Sequence, residues 1–194
     1  MTFDLTGKLL IATPAMGDPR FAHSVIYLCA HGPEGAFGLV TNRLIPGLHL
    51  RDILSQIDIA PGAAMAQSCA ASPVRAGGPV EPARGFVLHR DGGPASVVDA
   101  PGQPLPGGLM LSASTEVLVA IAAGEGPREW FLALGYAGWG AGQLEAEIAQ
   151  NAWLTADCPE GLLFGAEHGE AQWQAALHSI GVDPLSLSAV AGRA

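Results

Sequence analysis

Val25-Ile-Tyr-Leu-Cys-Ala-His-Gly-Pro-Glu-Gly-Ala-Phe-Gly-Leu-Val-Thr-Asn-Arg43 is the stretch whose reading decides the fold. Its first seven residues, Val25–His31, are rich in β-branched and aromatic side chains and stop at Gly32-Pro33, which predicts a strand. Ala36–Arg43 resumes after a Pro-Glu-Gly turn, so the two segments fold back on each other as a hairpin. Alternation sets Val25, Tyr27, Cys29 and His31 on one face and Ile26, Leu28 and Ala30 on the other. Upstream, Lys8–Ala12 reads as a short buried strand broken by Pro14, and Met16-Gly-Asp-Pro-Arg20 as a turn. Downstream, Val74–Ala76, Gly85–Arg90, Ser96–Val98 and Leu109–Ser112 read as short strands, punctuated by Gly77-Gly-Pro79 and by the Gly/Pro-rich stretch 101–108. Trp130–Tyr136, apolar on both faces, reads as a central strand.

Helical spacing appears in four places. Arg51–Ile57 sets Ile53, Leu54 and Ile57 one turn apart, and a second helix runs from a Ser114 cap through Ala123 to a stop at Gly124. Ala141–Ala152 directs Leu144, Ile148 and Ala152 inward and turns Glu145 and Glu147 elsewhere. Ala171–Ile180 repeats the pattern with Trp173, Ala176, Leu177 and Ile180, and stops at Gly181. Residues 61–73 have no assignment. Strands dominate residues 8–112 and helices the remainder, with no regular βαβ alternation, linker or repeat. One α+β domain over residues 1–194 is expected, built on a mostly antiparallel sheet or small barrel.

The chain has 194 residues, 49% hydrophobic and 14% charged, which excludes an intrinsically disordered protein. The net charge of −9 is uneven: residues 94–194 hold Arg128 and Arg193 against eleven carboxylates. With one lysine, Lys8, and eight scattered arginines there is no basic run to neutralise phosphates, so direct nucleic-acid binding is disfavoured. The acidic half should also repel anionic lipid surfaces. Met1-Thr-Phe-Asp-Leu-Thr6 lacks the basic head and apolar run expected of a signal peptide, and the longest apolar run, Val117–Ala123, is far below the ~20 residues that span a bilayer. Cys29, Cys69 and Cys158 form neither a disulfide framework nor a zinc spacing. A reduced, cytoplasmic protein without membrane contact is expected.

Four constellations carry possible chemistry. Cys29 and His31 share a strand face about 7 Å apart, too far for a thiolate–imidazolium pair on a regular strand. His31 and His89 both end strands and would meet if those ends share one rim of the sheet. Gly135-Tyr-Ala-Gly-Trp-Gly-Ala-Gly-Gln143 is a glycine-rich turn between strand and helix, without the Lys and Ser/Thr of a phosphate loop. Asn42-Arg43 ends a strand, and an Asp18–Arg43 pair would fix the preceding loop. Ser112 and Ser114 read as caps.

The ordered set of motifs resembles the bacterial YqgE/AlgH family. Gly7-Lys-Leu-Leu-Ile-Ala-Thr-Pro-Ala-Met-Gly-Asp-Pro-Arg-Phe21 is similar to its opening. Ser24–His31, Gly35–Arg43, Gly77-Gly-Pro-Val80, Gly85-Phe-Val-Leu-His89 and Gly135–Trp153 follow in order, so the resemblance covers about residues 5–185. It implies a bifurcated, mostly antiparallel sheet closing into a small flattened barrel surrounded by helices, in a cytosolic bacterial protein. One branch of that family is named for control of alginate production, and members carry the label of transcriptional regulators. It supplies no catalytic residues.

The expected function is therefore a non-enzymatic regulatory or binding module with a protein or small-ligand partner, without cofactor or metal. Its candidate surface comprises Asp18, His31, Asn42, Arg43, His89, Trp139 and Gln143. The alternative is a small enzyme with His31 or His89 as acid/base and Cys29 as nucleophile.

Overall fold

The computed structural model describes residues 4–90, 102–184 and 187. In chain order its elements are β1 (Leu9–Ala12), β2 (Val25–Gly32), β3 (Gly35–Val40), β4 (Leu44–His49), α1 (Leu50–Gln56), α2 (Gln67–Ala70), β5 (Pro73–Ala76) and β6 (Val80–Arg90). They continue with β7 (Gln103–Leu105), β8 (Leu109–Ser112), α3 (Glu116–Ala123), β9 (Trp130–Gly140), α4 (Gln143–Ala149), β10 (Trp153–Ala156) and α5 (Gly169–Ser179). The expected hairpin is β2–β3, antiparallel, with a register shift between Leu28 and Ala30 that places a bulge at Cys29.

The sheet runs β10-β1-β2-β3-β9-β6-β8-β7, and β9 is its seam. One edge of β9 pairs with β6. The other edge is divided: Ala137–Gly140 pair with β3, while Ala133 and Leu134 pair with β5, the one parallel match among the described residues. The fork falls at Gly135, whose φ is +73°. A Cβ there would lie 2.4 Å from the Gly78 carbonyl oxygen, and one on Gly78 would lie 2.1 Å from the Tyr136 carbonyl carbon. The separate motifs Gly77-Gly-Pro and Gly135-Tyr-Ala-Gly are thus one feature in space, where two backbones pass too closely for side chains.

Strand alternation divides the interior. Leu9, Ile11, Tyr27, Phe86 and Phe131 pack with α5 through Trp173 and Leu177. Leu10, Ile26, Leu28 and Val40 face the opposite way, onto Leu144 of α4, Trp139 and Trp153. Helices α1 and α3 cover the β5–β6–β9 arm through Leu50, Leu54, Val117 and Ile121. The fold is the expected α+β architecture: a forked, curled antiparallel sheet forming a half-barrel with helices around it.

Several local expectations change. The strand expected over Ala36–Arg43 stops at Val40; beyond it Thr41 bonds the Val25 carbonyl of β2, and Asn42 and Arg43 turn their polar groups to the loop described below. β4 contains Pro46-Gly47 and pairs only at its ends, with Gly47 at φ +72°. β7 lies inside the Gly/Pro-rich stretch, and α2 inside the unassigned residues 61–73. The α3 cap is Thr115 rather than Ser114. The glycine-rich segment stays in β9 as far as Gly140, and α4 is shorter than the expected helix. Ile180 is exposed, unlike Trp173, Ala176 and Leu177. The strand expected at Ser96–Val98 lies outside the described residues.

Candidate functional site

The Met16–Ser24 loop connects β1 to β2, and polar side chains hold it from three sides. The Asp18 carboxylate grips Arg20, with Nη2 donating to Oδ2 at 2.7 Å and Nε to both oxygens at 3.1 Å. Asp18 also accepts the Arg20 amide at 2.9 Å, closing a turn across Pro19. Hydrogen bonds from the Arg20 side chain, then its amide, hold the Asp18 carboxyl below the usual carboxylate range. Arg43 donates Nη1 to the Arg20 carbonyl and Nη2 to the Ala22 carbonyl, the latter at 2.7 Å. The expected Asp18–Arg43 pair therefore does not form. Arg20, two residues along the same turn, takes the carboxylate and leaves Arg43 to bind carbonyls.

Asn42, 1% exposed, ties three segments together. Its Oδ1 accepts the Val25 amide at 3.0 Å, and its Nδ2 donates to the carbonyls of His23 and Gly169, both at 2.8 Å. The Gly169 amide returns a bond to the Asn42 carbonyl at 2.6 Å, fixing the start of α5. His23, at φ +54°, stacks on Trp173 with ring centroids 4.3 Å apart.

Opposite this loop stands a carboxylate set among aromatics. Glu147 Oε2 accepts the indole N–H of Trp139 at 2.9 Å and that of Trp153 at 2.8 Å, while Oε1 accepts Gln143 Nε2 at 2.9 Å. Gln143 Oε1 accepts the Gly140 amide at 3.1 Å, closing the turn from β9 into α4. The two indoles meet edge to face at 6.0 Å, and Phe21 stacks on Trp139 at 6.5 Å and meets Trp153 edge-on at 5.7 Å. Between loop and helix lies a cleft of about 370 Å³, walled by Asp18, Arg20, Phe21, Trp139, Gln143 and Glu147 and floored by Pro79 and Val80.

Of the seven candidate residues, Asp18, Trp139 and Gln143 converge on this cleft, and Asn42 and Arg43 shape its loop from behind. His31 and His89 do not join them. His31 Nδ1 accepts the Leu5 amide at 3.2 Å, so its ring proton sits on Nε2, 3.0 Å from Glu145 Oε1. His89 is buried, with Nε2 3.0 Å from Ser112 Oγ, which makes Ser112 a partner rather than a cap. His31 is level with Ala36 and Trp139, and His89 with Trp130, nine residues apart along β9 or roughly 30 Å of extended chain. Cys29 is fully buried, and burial pushes its thiol up to about 12. The two histidines of the enzyme alternative are thus far apart, and its nucleophile is sealed in the core.

Sequence reasoning missed Phe21, Glu147 and Trp153. The helical pattern turns Glu147 away from the interior, yet it lies under two indoles. The available signal was that buried tryptophans need an acceptor for each N–H, and the acids lying between Trp139 and Trp153 are Glu145 and Glu147. A second cavity of about 420 Å³ is lined by Tyr27, Leu109, Cys158 and Phe164, but its cations are already neutralised: Lys8 pairs with Asp157 and Arg90 with Glu129. Among the described residues no three His, Cys, Asp or Glu side chains gather as metal ligands, and no helix is long and apolar enough to cross a membrane.

A family profile described as AlgH-like matches residues 9–185. A UPF0301 protein of Paracoccus denitrificans is 50% identical over 192 residues, covering 98% of this chain and 97% of its own. One from Ruegeria pomeroyi is 49% identical over 191 residues, covering 98% and 100%. The solution structure of the AlgH protein from Pseudomonas aeruginosa superposes with a TM-score of 0.76 at 43% identity, covering 100% of this chain and 98% of that one. A crystal structure of a Corynebacterium diphtheriae protein shares the fold at 20% identity, with a TM-score of 0.71 over 95% of this chain and 91% of its own.

Proposed function

We propose, from the premise that this chain belongs to the AlgH-like family, that it is a cytoplasmic regulatory binding module rather than an enzyme. Its protein or small-ligand partner docks in the cleft between the Met16–Ser24 loop and α4. The observation that carries this reading is the anchoring of that loop. Asp18, Asn42 and Arg43 commit their polar groups to Arg20, Ala22, His23 and Val25, so the loop presents Phe21 in one fixed conformation. A surface ordered in advance loses less entropy on binding, and ligand sites combine apolar walls with a few fixed polar groups. Nucleic acid is a poor candidate partner, since Asp18 and Glu147 line the cleft of a chain carrying −9.

The test is a fragment screen read by ¹⁵N–¹H NMR, in which the indole N–H groups serve as reporters. Ligands of this cleft shift the resonances of Trp139 and Trp153 and leave those of Trp130 and Trp173 in place. A hit set confined to the Tyr27–Phe164 cavity would move the site and refute this assignment.

A further inference from the structure

We infer that the cleft selects an organic cation, an alkylammonium or guanidinium group on an apolar stem. This rests on reading the cleft as the binding site. A carboxylate offers about four lone-pair positions. Glu147 uses three, for the indoles of Trp139 and Trp153 and the amide of Gln143, and all three donors are neutral. Among the described residues no cation lies within ion-pair distance of Glu147, so its charge is held in place but unbalanced, with one acceptor position open. Both indoles meet Glu147 through their N–H edges and are themselves buried, so the aromatic face that suits a cation at this cleft is that of Phe21, because an aromatic ring presents negative potential on its face.

The protein also supplies a resident example. The Arg20 guanidinium is held by Asp18 with its Cζ 6.0 Å from the Phe21 ring centroid, at the other lip of the same cleft. Asp18, Glu147 and Arg20 are the charged groups lining the cleft, so it carries one net negative charge within a chain of −9, and anions are disfavoured locally and at long range. Val80, 36% exposed, and Pro79 offer an apolar floor for the stem. The cation can be a free amine or a Lys or Arg side chain of another protein.

The experiment titrates the full chain with n-butylammonium, its anionic counterpart butyrate, neutral 1-butanol and a lysine-containing tetrapeptide. The readout is the indole N–H resonances of Trp139 and Trp153. Butylammonium and the peptide are expected to shift both, less so as salt is raised, while butyrate and butanol leave them unmoved. A peptide binding more than about tenfold tighter than butylammonium identifies a protein side chain as the source, and equal affinities identify a free amine. Glu147→Gln keeps an oxygen for the indoles and should weaken the ammonium probe by about tenfold. Arg20→Ala removes the one cation lining the cleft, so that Asp18 and Glu147 are both left unbalanced, and should tighten the probe several-fold, which decides the matter if the Glu147→Gln variant does not fold. Butanol or butyrate shifting the indoles as strongly as butylammonium overturns the cation inference and leaves the cleft as a binding site. Silence from every probe, whatever its charge, overturns both.

Discussion

Replacing Asn42 with alanine removes three hydrogen bonds from a site that is 1% exposed, and it leaves the Val25 amide and the His23 and Gly169 carbonyls without their partner. Each buried group left unpaired costs about 1–3 kcal/mol. Water can reach the His23 and Gly169 carbonyls, whose bonds are only partly buried, so we expect Asn42→Ala to lose about 2–4 kcal/mol, a large share of the 5–15 kcal/mol typical of a whole domain. Urea denaturation followed by tryptophan fluorescence reads this as a fall in midpoint with an unchanged slope. Hydrogen exchange should show the Val25 and Gly169 amides losing protection first, since those mark the strand and helix that Asn42 joins. Asn42→Asp sharpens the test. It keeps an acceptor for Val25 but turns an oxygen toward two carbonyls. Burial and those carbonyls raise the folded pKa of the new acid above its unfolded value. Its stability is therefore fullest at low pH and is lost as pH rises through the folded pKa. An Asn42→Ala protein within about 1 kcal/mol of the parent, with Val25 and Gly169 still protected, would refute the assignment of this residue as the tie between loop and helix.

Gly135→Ala forces a Cβ to within 2.4 Å of the Gly78 oxygen at a φ of +73°, so the variant should be insoluble or melt more than about 10 °C lower; a melting temperature within a few degrees of the parent contradicts the close approach. Burial pushes the thiols of Cys29 and Cys158 up to about 12 and about 11, and that of Cys69 upward by less. A disulfide reagent near pH 8 should therefore label Cys69 first and Cys29 only on unfolding, as peptide mapping will show. The Asp18 carboxyl is held below its unfolded pKa by Arg20, so its contribution to loop order is present above the unfolded pKa and lost as pH falls through the folded one. NMR titration should show the Arg20 amide moving with Asp18 in that acid window, and Asp18→Asn should abolish the movement.

The hairpin was legible because Val25–His31 and the residues after Gly35 obey simple rules of composition and punctuation. β4 was hidden because Pro46-Gly47 argues against a strand, and the segment is held only at its ends by β5. The candidate surface was half legible. Turn chemistry and spacing marked Asp18, Asn42, Arg43, Trp139 and Gln143, but no one-dimensional pattern says that Arg20 outcompetes Arg43 for Asp18. His31 and His89 looked equivalent as strand-end histidines. Their separation follows from registers on β9, and register depends on the whole sheet. The inward turn of Glu147 is likewise a tertiary effect, in which two buried indole donors override the amphipathic pattern of a seven-residue helix.

The seam strand also has a consequence for how the polypeptide is made. β3, β5 and β6 all bond to β9, which is synthesised about a hundred residues after β3. At 5–20 residues per second, β3 waits roughly 5–20 s, and β5 and β6 roughly 2–12 s, with one edge bare before their common partner is made. A nascent chain ending before Trp130 is therefore not a half-built barrel but a set of unclosed ribbons, and it is in that interval that its strand edges are most open to mispairing.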